Sequence, residues 1–440
     1  MTVSAKFTFP EKFLWGTATS AHQVEGENNN NNWSLWEAQP GRIRNGDVSG
    51  KACDWWKGRR WQEDFLRAAD TGQNTHRMSI EWSRIQPKEN LWDESAIDYY
   101  REMIRGMISR GLRPLITLHH FTDPIWFYEM GGWQNEKAPE YFLRFAEKII
   151  PAFKPLVKDW ITINEPNVYI LCGFISGHFP PGNINNFSAA NIVLRNMIKA
   201  HAAVYHLIHE QQPEASVGIA IHFRDLFPKT NLPPDRWMTR LAHHLFNNSF
   251  TDTISSGKFH YGPYFIHIPQ AKNTQDFLGL NFYSGNQVRF TFNPNNFLSY
   301  PEGASLSDTG FIANEPESFS RALKWAAGYG KPILITENGT ESDEDTFRRD
   351  YLAAHIHRLW RAWSNGIPVK GYYHWSLIDN FEWERGWSQR FGLWRLNVET
   401  QVRTKRLSAD FYERICRKNS LDSEDMETFA PRIYREIFPV

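Results

Sequence analysis

The segment ILITENG, residues 333–339, is a short apolar run that ends in a carboxylate and a glycine. Such a run is typical of a strand that is buried on both faces of a parallel sheet. Seven other runs have the same form, and each is followed by a longer stretch with helical spacing; the eight are 13–17, 75–80, 114–118, 160–163, 217–221, 277–280, 333–336 and 369–373. Eight strands with crossover helices predict an α/β fold, a single (β/α)8 TIM barrel.

The chain of 440 residues contains no linker rich in glycine, proline or serine. Barrels with long loops exceed 400 residues as one unit, so we predict that residues 1–440 form a single domain. Residues 419–440 are expected to form a tail packed on the outside. The asparagine run at 28–32 is expected to be a mobile surface loop without a packing role.

Composition restricts the class of partner. Lys plus Arg and Asp plus Glu number 49 each, which predicts no nucleic-acid or membrane partner and favours a neutral small molecule. The 19 tryptophans suit a ligand with alternating C–H and O–H groups, such as a sugar. Three widely spaced cysteines (53, 172 and 416) and the lack of a secretory pattern at 1–10 predict a cytoplasmic protein.

Carboxylates that directly follow the predicted strands are candidates for chemistry, because the loops at the carboxyl ends of barrel strands form the concave mouth. Glu165 follows the fourth strand and Glu337 follows the seventh. Cleavage of a glycosidic bond needs two carboxyl groups, one that protonates the leaving oxygen and one that attacks or stabilises the anomeric carbon. These two residues are therefore the predicted catalytic pair, and no metal or cofactor is expected.

Nine separated blocks of the chain, in this order, resemble glycoside hydrolase family 1, the β-glucosidase and β-galactosidase family. They are FLWGTAT at 13–19, QVEG at 23–26, Arg77, WSRI at 82–85, His120, TINEP at 162–166, NFY at 281–283, ITENG at 335–339 and WSLIDNFEW at 375–383. The resemblance implies a retaining β-glycosidase, foremost a β-glucosidase with β-galactosidase or β-fucosidase side activity. Such an enzyme releases terminal non-reducing β-D-glucosyl residues by double displacement.

The resemblance also implies individual roles. Glu337 is similar to the family's nucleophile and Glu165 to its acid and base, with the two carboxyl groups about 5 to 5.5 Å apart. Arg77 and Tyr283 are similar to the residues that support the nucleophile, and the arginine is expected to favour the ionised form of Glu337. A further set is similar to the substrate-binding residues, with Asn164 at the 2-hydroxyl and Trp375 as the stacking floor; the set is Gln23, His120, Asn164, Asn281, Trp375, Glu382 and Trp383.

The sequence departs from the family pattern after the third strand, where His120 is followed by Phe121 instead of tryptophan. The branch that cleaves 6-phosphorylated sugars carries serine in place of Glu382, with lysine and tyrosine at the positions of Gln389 and Phe391. A carboxylate at 382 would repel a phosphate group, so an unphosphorylated sugar is predicted.

Three alternatives remain open at this stage: a transglycosylating β-glycosidase, a metal-dependent hydrolase that uses His119 and His120, and a non-catalytic sugar-binding barrel. Adjacent histidines on a strand point to opposite faces, which argues against a shared metal ion. His119 is expected to be a satisfied core residue. Glu81, at the end of the second strand, is expected to form a buried ion pair with an arginine.

Overall fold

The computed structural model describes residues 5–293 and 296–438. Eight parallel strands form a closed barrel, and the eighth pairs with the first. We label them β1 (Leu14–Ala18), β2 (Thr75–Ser79), β3 (Arg113–His119), β4 (Asp159–Asn164), β5 (Ser216–His222), β6 (Phe277–Phe282), β7 (Ile333–Asn338) and β8 (Val369–His374). Each overlaps the run predicted for it, and the predicted TIM barrel is confirmed.

Helices connect successive barrel strands. The longer ones are Trp61–Asp70, Glu94–Ile108, Ala138–Phe153, Phe187–Gln211, Pro233–His243, Ser249–Ser256, Pro316–Ala327, Thr346–Ser364 and Leu407–Lys418. The short ones are Ala21–Val24, Asn32–Glu37, Trp82–Ile85, Ile125–Glu129, Pro166–Ile170, Ser423–Phe429 and Tyr434–Ile437. Strands outside the barrel are Lys6–Thr8, Asp225–Pro228, Lys258–Tyr261, Tyr264–His267, Gly285–Val288, Leu298–Ser299, Trp394–Leu396, Arg403–Lys405 and Ser420–Asp422.

The helix Glu94–Ile108 illustrates how the sequence specifies a crossover. The side chain of Asp93, which directly precedes the helix, accepts a hydrogen bond from the backbone amide of Ala96 and caps the first turn. Ile97, Tyr100 and Ile104 recur at helical spacing and are buried against the barrel. Burial of each such side chain contributes about 1.5 to 3 kcal/mol, so packing of this face, more than propensity, fixes the helix.

The two ends of the described chain lie side by side. The strand Ser420–Asp422 pairs antiparallel with Lys6–Thr8, and the helix Ser423–Phe429 follows it. Phe429 stacks on Phe411, with ring centroids 5.3 Å apart. Within the described residues, no helix is long and apolar enough to cross a membrane.

The prediction of a mobile loop at 28–32 is wrong. Asn28, Asn31 and Asn32 are buried, with exposed fractions of 2%, 0% and 1%. Asn31 caps the helix Asn32–Glu37 by accepting a hydrogen bond from the amide of Ser34. Because an asparagine side chain both donates and accepts, it can satisfy buried backbone groups, and a polar run need not face solvent.

Candidate active site

The acidic residues predicted from strand ends both lie at the mouth of the barrel. Glu337 is the fifth residue of β7, and Glu165 directly follows β4. Gly339 allows the chain beyond β7 to approach β8, since a Cβ atom there would lie 1.9 Å from the carbonyl oxygen of Trp375. The glycine of the ILITENG segment is therefore required by close backbone contact.

Glu337 is held from two sides. The Arg77 guanidinium donates a hydrogen bond of 2.6 Å to Oε1, and the Tyr283 hydroxyl donates one of 2.6 Å to Oε2. Both oxygens of the carboxyl group are thus fixed in orientation. Glu337 is 3% exposed, so these bonds lie in a largely desolvated environment in which they are stronger than in water.

Burial is the main influence on the acidity of Glu337 and raises the pKa of its carboxyl group to about 7. Arg77 and the hydrogen bond from Tyr283 lower this pKa, whereas the neighbouring Glu165 raises it. The contribution of Arg77 has the expected direction, but desolvation exceeds it.

Glu165 has a left-handed backbone conformation, with φ +43° and ψ +57°. This region is rare for residues other than glycine and marks local strain. The amide of Asn281 donates a hydrogen bond of 2.8 Å to Glu165 Oε1, and Nδ1 of His222 lies 3.2 Å from the same oxygen. The barrel thus fixes the Glu165 carboxyl group through side chains from β5 and β6.

A chain of hydrogen bonds connects the two carboxyl groups. Asn281 donates to both Glu165 and Asn164, and Arg77 donates to both Asn164 and Glu337. Asn281 also lies directly opposite Glu337 in the register of β6 and β7. Four strands of the barrel therefore contribute side chains to the one network that joins the two carboxyl groups.

The residues predicted to bind the sugar line the same mouth. Trp375 donates a hydrogen bond of 3.0 Å to Glu382, and the His120 ring lies nearly parallel to the rings of Trp375 and Trp383, with centroids 6.1 and 6.0 Å away. Gln23 donates to Asn380 and to the carbonyl of Phe381, next to Glu382. The structure thus brings together every side chain of the predicted set.

Two of these residues have strongly shifted acidity. Burial, assisted by Arg77, lowers the pKa of His120 well below its usual value, so its ring is neutral at pH 7. Its Nε2 lies 3.1 Å from the Asn164 amide nitrogen, and Nδ1 has no protein partner among the described residues. Burial also raises the pKa of Glu382, although the Trp375 hydrogen bond opposes this. Nδ1 of His120 and the carboxyl group of Glu382 can therefore form hydrogen bonds with the hydroxyl groups of a ligand.

The structure also tests the predictions made for His119, for Glu81 and for a metal site. His119 is a buried core residue, as expected, and its Nε2 lies 2.9 Å from Asp123 Oδ1, but its Nδ1 has no hydrogen-bond partner among the described residues, so the ring is satisfied on one side only. The predicted arginine partner of Glu81 is wrong: its carboxylate accepts from Ser83 and Thr122, whereas Arg84 pairs with Glu25. Over 5–293 and 296–438, no group of three or more His, Cys, Asp or Glu side chains could hold a metal ion.

His222 was missed by the sequence analysis. It is the last residue of β5 and contacts Glu165, so it obeys the strand-end rule that identified the carboxylates. The strand-end prediction considered acidic residues and left histidines out. Extended to histidine, the same rule would have placed His222 at the mouth.

A closed barrel with two buried carboxyl groups at its mouth, surrounded by amides and tryptophans, is typical of glycosidases. Residues 5–421 match the model of glycosyl hydrolase family 1. The chain belongs to this family and is therefore a glycosyl hydrolase.

Known relatives are similar over almost their whole length. The chain is 32% identical to beta-glucosidase A of Thermotoga maritima, covering 94% of this chain and 99% of the relative. The structure of a beta-glycosidase from Pyrococcus horikoshii has a TM-score of 0.89 at 36% identity, covering 97% of this chain and 98% of the other. The beta-glucosidase from Thermotoga maritima in complex with glucoimidazole has a TM-score of 0.87 at 31% identity, covering 94% and 100%.

Proposed function

We propose that this protein is a retaining β-glycosidase that acts foremost on terminal non-reducing β-D-glucosyl residues, with side activity on β-galactosides and β-fucosides. The observation that carries the proposal is that the carboxyl groups of Glu337 and Glu165 have different kinds of hydrogen-bond partner. Glu337 receives bonds from Arg77 and Tyr283, whereas the described side chains that bond Glu165 are an amide and an imidazole. The two therefore differ chemically although they share one mouth.

In the first step, an oxygen of Glu337 attacks the anomeric carbon while the glycosidic carbon–oxygen bond breaks. Glu165 gives its proton to the departing oxygen, which leaves as an alcohol. Arg77 supports the ionised form of Glu337 before the attack, and its second bond, to Asn164, keeps the guanidinium in place. The product is a glycosyl ester of Glu337 with inverted anomeric configuration.

In the second step, Glu165, now ionised, removes a proton from water, and the water oxygen attacks the anomeric carbon. The bond to Glu337 breaks, and the sugar leaves with its original configuration. Glu165 thus acts first as the acid and then as the base.

Recognition of the sugar is assigned to the side chains around Trp375. The indole face suits the C–H face of a pyranose, and Glu382 with Gln23 can bond adjacent hydroxyls. Asn164, beside Glu165, is proposed to contact the 2-hydroxyl, where bonds strengthen towards the transition state. The carboxylate at 382 disfavours 6-phosphorylated substrates by like-charge repulsion.

We further propose a cytoplasmic location, a small-molecule partner and a single domain for this protein. The three cysteines, Cys53, Cys172 and Cys416, are all free, which suits a cytoplasmic address. The partner is proposed to be a small β-glycoside or oligosaccharide, without a nucleic acid or membrane. Residues 1–440 are proposed to act as one domain, because the strands at both ends of the described chain pair with each other.

The test is a panel of p-nitrophenyl β-glycosides of glucose, galactose, fucose, mannose and xylose, with release of nitrophenol as the readout. We expect the glucoside to give the highest kcat/KM and the activity to survive EDTA. A protein that binds these glycosides without releasing nitrophenol would be a binding module, and loss of activity with EDTA would indicate a metal-dependent hydrolase.

A further inference from the structure

The two oxygens of the Glu165 carboxyl group have different surroundings. His222 on β5 and Asn281 on β6 are opposite each other in the register of these strands, and both side chains contact the same oxygen. Nδ2 of Asn281 lies 2.8 Å and Nδ1 of His222 lies 3.2 Å from Oε1. Oε2 accepts no hydrogen bond from a side chain of residues 5–293 and 296–438, and the Glu165 side chain remains 7% exposed.

The orientation of the Asn281 amide is fixed by a chain of contacts that begins at Arg77. A guanidinium group can only donate, so the Asn164 atom 2.6 Å from Arg77 is the amide oxygen. The Asn281 atom 3.1 Å from this oxygen is then the amide nitrogen, and the same nitrogen donates to Glu165. Oε1 is therefore an acceptor. Because the carbonyl oxygen of a protonated carboxyl group is its better acceptor, a proton on Glu165 belongs on Oε2.

The ring of His222 is held in place at the mouth. Its centroid lies 5.6 Å from that of Tyr283 and 5.8 Å from that of Phe246, and its backbone carbonyl accepts a hydrogen bond of 2.7 Å from Asn167. Among the described residues, the acceptor near Nδ1 is Oε1 of Glu165. The terminal torsion of a glutamate is broad when it is unrestrained, so a second donor on one oxygen restricts rotation of the carboxyl group.

We propose that His222 is a positioning residue that donates from Nδ1 to Oε1 of Glu165 and so keeps the acidic proton on Oε2, the oxygen that transfers it. In the first step, this proton moves from Oε2 to the glycosidic oxygen, which also keeps the electron pair of the bond that breaks. In the second step, Oε2 removes a proton from the attacking water. His222 neither gains nor loses a proton. The inference rests on the proposed function, because it requires Glu165 to be the acid and base.

The experiment compares His222→Leu with His222→Asn. The two new side chains are similar in size, but only asparagine can place a donor near the position of Nδ1. The substrates are phenyl β-D-glucoside, whose leaving group needs a proton, and 2,4-dinitrophenyl β-D-glucoside, whose leaving group departs as a stable anion.

We expect His222→Leu to lower kcat/KM about tenfold for the phenyl glucoside and less than about twofold for the dinitrophenyl glucoside. With the dinitrophenyl glucoside, kcat and KM should fall together, because the second step, which needs the base, limits turnover. His222→Asn should restore most of the activity on both substrates. His222→Ala, which also lacks a donor, takes the place of His222→Leu if that variant does not fold.

His243→Leu and His243→Asn are the matched controls. His243 is half-buried, and its ring packs against Phe223, with centroids 5.7 Å apart. Both substitutions should leave the kinetics of the two substrates unchanged. A leaving-group dependence in His243→Leu equal to that in His222→Leu would overturn the proposal.

Glu165→Gln separates failure of this inference from failure of the proposed function. It should show the same leaving-group dependence as His222→Leu, but a larger one. Equal losses on both substrates in Glu165→Gln would refute the role of Glu165 itself. If Glu165→Gln shows the dependence but His222→Leu affects both substrates alike, or neither, the role of His222 is refuted. Faster cleavage of the phenyl glucoside by His222→Leu would also overturn it, because His222 would then draw the proton away from the substrate.

Discussion

The hydroxyl group of Tyr283 donates a hydrogen bond of 2.6 Å to Oε2 of Glu337. Tyr283 directly follows β6, and Glu337 lies on the adjacent strand β7, so the bond crosses between neighbouring strands at the mouth. The same bond lowers the pKa of Glu337 and opposes the effect of burial. The ionisation of the proposed nucleophile is therefore set by side chains from several strands together.

Removal of this bond by Tyr283→Phe should shift the acidic limb of the kcat/KM profile to higher pH. The bond lowers the pKa of Glu337, so its loss raises the pKa, and a smaller fraction of the carboxyl group is ionised at acidic pH. We also expect kcat/KM on the plateau to fall about tenfold.

The matched control for this prediction is Tyr373→Phe. Tyr373 is buried in the barrel, and its hydroxyl contacts Thr75 at 2.9 Å instead of a carboxylate. Its substitution should leave the acidic limb in place. A similar shift in both variants would indicate a general effect of losing a buried hydroxyl.

Replacement of Asn164 should affect substrates according to their 2-hydroxyl. We expect Asn164→Ala to lower kcat/KM for an aryl β-glucoside about a hundredfold, because the proposed bond strengthens towards the transition state. The 2-deoxy analogue should lose much less. Asn167→Ala, whose amide donates to the carbonyls of His222 and Phe246, should affect both substrates alike. Equal losses for both substrates in Asn164→Ala would refute the proposed contact.

Neutralisation of Glu382 tests its charge apart from its shape. In Glu382→Gln the amide oxygen can still accept from Trp375, but charge-assisted bonds to the sugar are lost. We expect kcat/KM for glucosides to fall about 10- to 100-fold, and relative activity on 6-phosphoglucosides to rise as the repulsion is removed. Glu384→Gln, at a residue paired with Arg385, is the control and should change this ratio little.

Much of the fold and site follows from local sequence patterns. Strand β7 is an uninterrupted apolar run, and an acid at its end must face the mouth once the barrel is closed. The hydrogen bond between Asn281 and Glu165 could not be predicted in this way, because it depends on the relative register of β6 and β4, which are not neighbours. Asn281 and Glu165 are also separated by 116 positions in the sequence.

The asparagine run at 28–32 is a case in which a local sequence pattern predicts the wrong structure. Composition alone predicts that Asn31 is exposed to solvent, whereas its side chain caps a helix. We expect Asn31→Ala to lower the free energy of unfolding by about 1 kcal/mol, measured by denaturant titration. Asn29→Ala, in the same run but exposed, should change it by less than about 0.5 kcal/mol. Equal effects of the two substitutions would contradict the capping role.

The assignment of Glu337 as the nucleophile is tested most directly by Glu337→Gly with an aryl β-glucoside and added azide. Hydrolysis should fall more than about a thousandfold, because no group remains to form the covalent intermediate. Azide can then enter the space of the missing carboxylate and attack from the same face, while Glu165 still protonates the leaving group. We predict that NMR identifies the product as the α-glucosyl azide; the β-glucosyl azide would contradict this assignment and show that Glu337 is the acid and base instead.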